Sequence, residues 1–101
     1  MERYSSRSID ELGRFVLHSE LRRKLNLNTG DKVYLTPIDT IMVLTFNETL
    51  AKSHHVICEI DDIGMIILPN ELKDEMGWKT NDRLSAYHTD NIVILKLEAI
   101  D

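Results

Sequence analysis

One cysteine, Cys58, stands in a chain of 101 residues, so no disulfide can form within it and the fold must rest on packing. A lone thiol also suits a reducing compartment. Long apolar runs are missing too: "IMVL" and "MIIL" are far too short to span a bilayer. The opening "MERYSSRSID" is charged and has no apolar stretch, which excludes a secretory signal. A soluble, cytoplasmic protein with no membrane association is expected. Catalytic patterns are equally absent. There is no Ser/His/Asp or Cys/His constellation, no Gly-rich phosphate loop and no acid–base carboxylate pair above background, so no enzyme is expected. The segment "HHVIC" supplies only His54, His55 and Cys58. A metal centre needs three or four ligands and a supporting shell. With no second cluster, neither a metal nor another cofactor is expected.

What is present is a repeat. "IDELGRFVLHSELRRKL" at 9–25 returns fifty-one positions later as "IDDIGMIILPNELKDEM" at 60–76. Sliding 9–46 onto 60–97 without a gap gives eleven identities, among them Gly13/Gly64, Leu21/Leu72 and Asp31/Asp82. Mismatches such as Val16/Ile67 and Leu25/Met76 keep their apolar character. Preservation of both turn residues and apolar positions points to duplication.

Charge does not follow the repeat. Residues 1–50 carry seven Lys or Arg against seven Asp or Glu, whereas residues 51–101 carry five against ten. Arg14 becomes Met65, Arg23 becomes Asp74 and Lys24 becomes Glu75. The net charge of −5 therefore sits in the second half. Such asymmetry marks a division of labour between the copies.

Each copy has one grammar. A strand ("SSRSI", "VICEI") enters a turn ("DELG", "DDIG") whose glycine suits positive φ, and a second strand follows ("RFVL", "MIIL"). A short helix comes next ("SELRRKL", "NELKDEM"), with Ser19 and Asn70 expected as N-caps. Asn26 and Gly77 fall where a left-handed residue ends a helix. Two further strands then flank a tight connection at Asp39-Thr40 or Asp90-Asn91. Asp10 with Glu11, and Asp61 with Asp62, read as turn-stabilising acceptors, and Trp78 as a packing residue. The order is β-β-α-β-β, twice: residues 1–46, a polar linker over 47–55, and residues 56–101. Since roughly 45 residues seldom enclose an adequate core, the two copies are expected to form one intertwined domain.

The stretch "RSIDELGRFVLHSELRRKLNLNTGDKVYL" resembles the N-terminal DNA-binding domain of the AbrB family, the swapped-hairpin superfamily that includes MazE-like antitoxins. The shared pattern is an Arg before the turn, "DELGR", a short strand, "ELRR", then "L.L..GD". It covers residues 3–46 strongly and 56–97 more weakly. The resemblance implies a mostly β protein with short helices: a tandem, pseudo-two-fold, swapped-hairpin β-barrel. It also implies a transcription regulator in which Arg7, Arg14, Arg22 and Arg23 contact double-stranded DNA. Two departures stand out. His18 replaces the family's proline, which Pro69 keeps, and the second copy has Cys58, Met65, Lys73 and Asp74 in place of the four arginines.

Arginine suits phosphate and guanine recognition through its planar fork of donors. Arg22 and Arg23 are neighbours on a helix and diverge by roughly 100°. Strand alternation puts Arg7 on the face of Ile9, so burial of Ile9 would turn Arg7 inward unless the strand ends or twists there. One basic set per chain calls for a homodimer on a symmetric DNA site. The alternative is a protein-interaction module, antitoxin-like or scaffolding, suggested by the acidic second half.

Overall fold

The computed structural model describes residues 1–48 and 55–98. Of the linker expected at 47–55, positions 49–54 lie outside the described residues. The first copy runs β1 (Glu2–Ser8), β2 (Arg14–Val16), α1 (Ser19–Lys24), β3 (Lys32–Ile38) and β4 (Ile41–Thr45). The second runs β5 (Val56–Glu59), β6 (Met65–Ile67), α2 (Asn70–Met76), β7 (Arg83–Thr89) and β8 (Ile92–Leu97). The protein is mostly β, with antiparallel pairing throughout and two short helices.

Every turn is built twice by the same side chains. Asp10 Oδ1 accepts the backbone N–H groups of Leu12 at 3.0 Å and Arg14 at 2.7 Å, and Asp61 Oδ1 accepts those of Ile63 at 3.0 Å and Met65 at 2.8 Å. After each helix, Asp31 Oδ2 accepts Asn28 N–H and Asp82 Oδ2 accepts Lys79 N–H. Asn26 and Gly77 both take left-handed φ at the helix ends, as do Asp39 and Asp90 in the hairpins. The expected N-caps are corrected: His18 and Pro69 hold the cap positions, and neither makes a side-chain cap bond. Their extended ψ of 138° and 145° leaves Ser19 and Asn70 already inside the helices.

Pairing then interleaves the copies. The six-stranded sheet runs β1-β7-β8-β4-β3-β5, while β2 and β6 form a separate ribbon. Thus β1 lies on β7 of the second copy, and β5 lies on β3 of the first. At the centre of the sheet Val43 pairs with Ile94, and at the centre of the ribbon Phe15 pairs with Ile66. Both are repeat-mates, fifty-one positions apart. The same symmetry governs the crossing bonds: Leu17 N–H donates to Gly64 O, and Leu68 N–H donates to Gly13 O. Ile9 is held by Asn81 and Asp82, and Ile60 by Gly30 and Asp31. The sheet does not close into the expected barrel, because β1 and β5 form its two edges rather than a pair.

One apolar cluster unites the two copies. Phe15 with Ile66, Leu17 with Leu68, Leu21 with Leu72 and Leu44 with Leu95 are all buried as repeat-mates. Trp78 joins the cluster, and its mate Leu27 packs against it. Truncating a buried Phe of this kind typically costs about 3–5 kcal/mol. Separating the copies would expose half of every such pair.

Gly13 and Gly64 sit where each copy's turn meets the other's helix. Gly64 (φ +81°) has no room for a Cβ: the Arg22 Cζ would be 2.5 Å away. At Gly13 (φ +79°) the close atom is Lys73 Nζ, 2.6 Å away at the end of a flexible chain. Backbone strain costs about 1–3 kcal/mol for a non-glycine here. Gly64→Ala is therefore expected to lose more stability in urea denaturation than Gly13→Ala, because Arg22 is anchored. Adding Arg22→Ala should recover only the steric part of the Gly64→Ala loss.

Candidate functional site

Strands β1 and β2 and helix α1 enclose an open groove of about 520 Å³, lined by Arg3, Tyr4, Ser5, Arg7, Val16, His18, Ser19, Glu20 and Arg22. Its shape begins in β1. Between Tyr4, opposite Ala86, and Arg7, opposite Leu84, β1 advances three residues while β7 advances two. Burial still alternates from Tyr4 through Arg7 across this bulge and breaks only at Ser8, where the strand ends. Ile9 is buried, yet Arg7 is exposed and donates to Ser5 Oγ at 2.8 Å and Ser6 O at 3.2 Å. The strand end at Ser8 releases Arg7 from the inward direction that alternation with Ile9 requires.

The four arginines singled out from the sequence have different fates. Arg14 is half-buried and its Nε lies 2.7 Å from Asp10 Oδ2, so its charge is matched within its own turn. Hydrogen bonds from Arg14, first through its backbone N–H, hold the Asp10 carboxyl below its ordinary range. Arg22 is half-buried as well. Its Nε donates to Leu17 O at 2.9 Å, and its guanidinium lies over Gly64, so it braces the two copies while lining the groove. Arg23 is exposed and its side chain has no polar partner among the described residues. The structure thus brings Arg7 and Arg22 to one groove and leaves Arg14 with Asp10.

Arg3 was missed by sequence reasoning. It is exposed, lines the groove, donates to Ser85 Oγ at 3.2 Å and lies 6.0 Å from the centre of the Tyr87 ring. The available signal was the period-two spacing of Arg3, Ser5 and Arg7. Among the described residues, ion pairs engage Arg14, Lys24 and Arg83, but none engages Arg3, Arg7, Arg22 or Arg23. Glu20, the one carboxylate lining the groove, faces Lys24 Nζ at 3.6 Å.

His18 shares the groove with Arg7 and is only 9% exposed. Its Nε2 is 2.6 Å from Ser5 O, which can only accept, so Nε2 carries the proton. The ring packs against Tyr4 with centroids 5.3 Å apart, and Nδ1 is buried without a partner. Burial pushes the imidazole below its ordinary range; the bond to Ser5 opposes that shift, and the Arg7 charge adds to it.

A hollow of about 260 Å³ beside α2 is lined by Pro37, His55, Val56, Glu71, Leu72 and Glu75, with no Lys or Arg. Cys58, at the position of Arg7, is half-buried on β5. Burial first, and the neighbouring Glu59 charge second, push its thiol up to about 12. Among the described residues no group of three or more His, Cys, Asp or Glu gathers to hold a metal ion, and no helix is long and apolar enough to cross a membrane. His54, part of the "HHVIC" segment, lies outside the described residues.

No family model and no curated protein matches the chain. Among solved structures it is similar to the solution structure of PHS018 from Pyrococcus horikoshii. The likeness has a TM-score of 0.53 at 17% identity, over 95% of this chain and 87% of that one. It is a likeness of fold.

Two outcomes follow from the buried groups. Native Cys58 should react with a maleimide at pH 8 more than about a hundredfold slower than in the urea-unfolded chain, since the thiolate is the reacting form. The unfolded chain protonates His18 near 6.5 while the folded protein resists it. Stability is therefore full above that pH and lost below it. By pH 5.5 the loss at His18 should reach up to about 1.4 kcal/mol, absent in His18→Gln, when urea midpoints of the two proteins are compared.

Proposed function

We propose that this protein is a DNA-binding transcriptional regulator of the AbrB type, with the first copy facing DNA and the second completing the shared core. The observation that carries this reading is the set of guanidinium groups without carboxylate partners, Arg3, Arg7, Arg22 and Arg23, confined to the first copy of an otherwise acidic chain. Fixed cations of this kind displace condensed counterions from a phosphate backbone. The interleaved hairpins support the tandem swapped-hairpin arrangement, and the pseudo-two-fold frame explains why the second copy keeps its apolar positions without its arginines. One basic set per chain makes a homodimer the natural binder of a symmetric operator. A cytoplasmic location belongs to the same proposal.

A second reading, a protein-interaction module, draws on α2, whose exposed Glu71, Asp74 and Glu75 repel phosphate. A pull-down that recovers a stoichiometric protein partner and no DNA would favour it.

Fluorescence anisotropy with promoter DNA across a salt series tests the first reading. Affinity is expected to fall with a log–log slope of about −0.9 for each phosphate contact. Arg7→Ala and Arg23→Ala should each make the slope shallower by about 0.9. Arg14→Ala should change it less, because Asp10 already compensates that charge. Absent or salt-independent binding at low ionic strength would sink the proposal.

A further inference from the structure

We propose that the groove over His18 is a seat for one phosphate-like anion, and that His18 couples its occupation to the uptake of a proton. The inference rests on the DNA reading only for the natural source of the phosphate; the seat itself is a matter of local chemistry.

Arg7 of β1 and Arg22 of α1 line the groove, and Arg3 borders it while its guanidinium turns to Ser85 and Tyr87 in a neighbouring hollow that also holds Lys96 and Glu98. Arg7 and Arg22 are anchored by neutral acceptors, Ser5 Oγ with Ser6 O and Leu17 O. Neutral anchors fix the direction of a guanidinium while leaving its charge unmatched. A tetrahedral dianion or a backbone phosphate supplies what this concavity lacks, and the planar fork of arginine fits its oxygens.

His18 adds the coupling. Its ring is nine-tenths buried, Nε2–H is committed to Ser5 O, and Nδ1 is left as a buried acceptor with no donor. A proton on Nδ1 would turn that acceptor into a donor and add positive charge beneath the groove. The charged and titratable neighbours are Arg3, Tyr4 and Arg7 on β1 and Glu20, Arg22 and Lys24 on α1. Glu20 is turned to Lys24, and Lys24 is shared with Glu2 at 2.7 Å. The lining residue of β2, Val16, carries no charge. With the groove empty, burial first and the Arg7 charge after it oppose protonation of His18. An anion there cancels the charge part of that opposition, so binding takes up a proton and acid strengthens binding; the coupling is reciprocal. The second copy has Pro69 at this position with nearly the same backbone (φ −58°, ψ 145°, against −50° and 138°), so the imidazole is not needed to shape the helix start.

Sulfate is the probe of choice, because its charge is constant across the range. NMR of the His18 ring should show its titration moving to higher pH as sulfate is added. Sulfate affinity should rise by up to about tenfold per pH unit between pH 7.5 and 5.5, the limit for one proton. His18→Gln and His18→Pro should bind sulfate with a flat pH profile, and Arg7→Gln should bind it weakly at every pH. A His18 titration unmoved by saturating sulfate would overturn the proposal, as would equal pH slopes in wild type and His18→Gln. The same measurements with a DNA duplex separate the two readings. A sulfate response without DNA binding supports the seat and removes the regulator. DNA binding that leaves the His18 titration in place keeps the regulator and removes the coupling.

Discussion

Neither half of this chain can cover its own apolar surface, and the architecture is organised around that constraint. Phe15 meets Ile66 and Val43 meets Ile94 across a pseudo-two-fold axis. Each copy lends its first strand to the other's sheet. The crossing hydrogen bonds, Leu17 to Gly64 and Leu68 to Gly13, extend the same exchange to the backbone. Buried backbone groups need partners. Here those partners come from the opposite copy, so core and hydrogen bonding oppose separation together.

A frame used twice restrains only the residues that serve it. Glycines at the crossing turns, aspartates that accept turn N–H groups and the paired core positions recur in both copies. A long basic side chain recurs as well: Arg22 lies over Gly64, and its mate Lys73 lies over Gly13. Residues outside the frame were free to diverge. On one side divergence left Arg3, Arg7 and Arg23 exposed; on the other it placed Cys58 and Asp74 at the positions of Arg7 and Arg23. The charge asymmetry of the chain is therefore carried by its surface, above a nearly symmetric interior.

Much of the fold was legible because it depends on local rules that the repeat states twice. The Asp-x-x-Gly turns, the left-handed helix ends and the two-residue hairpins follow from side-chain acceptors and φ preferences within a few residues. The helix caps were misread because Ser and Asn are favoured cap types, whereas the extended backbone at His18 and Pro69 placed them one position later. The site was only partly legible. Arg7 depended on where β1 ends, which no local pattern announces, and Arg3 was overlooked although its spacing from Arg7 was visible. The roles of Arg14 and Arg22 depended on whether an acceptor lay within reach of each Nε.

The sequence by itself determined the duplication, the order of elements, the identity of the core and the half of the chain that holds the positive charge. Those follow from residue type and spacing alone. Tertiary structure decided which strands pair across copies, that the sheet stays open, which acceptors hold Arg14 and Arg22, and that an imidazole lies buried beside Arg7. These outcomes turn on distances between residues far apart in the chain, where small changes in separation decide whether a charge is matched or left free.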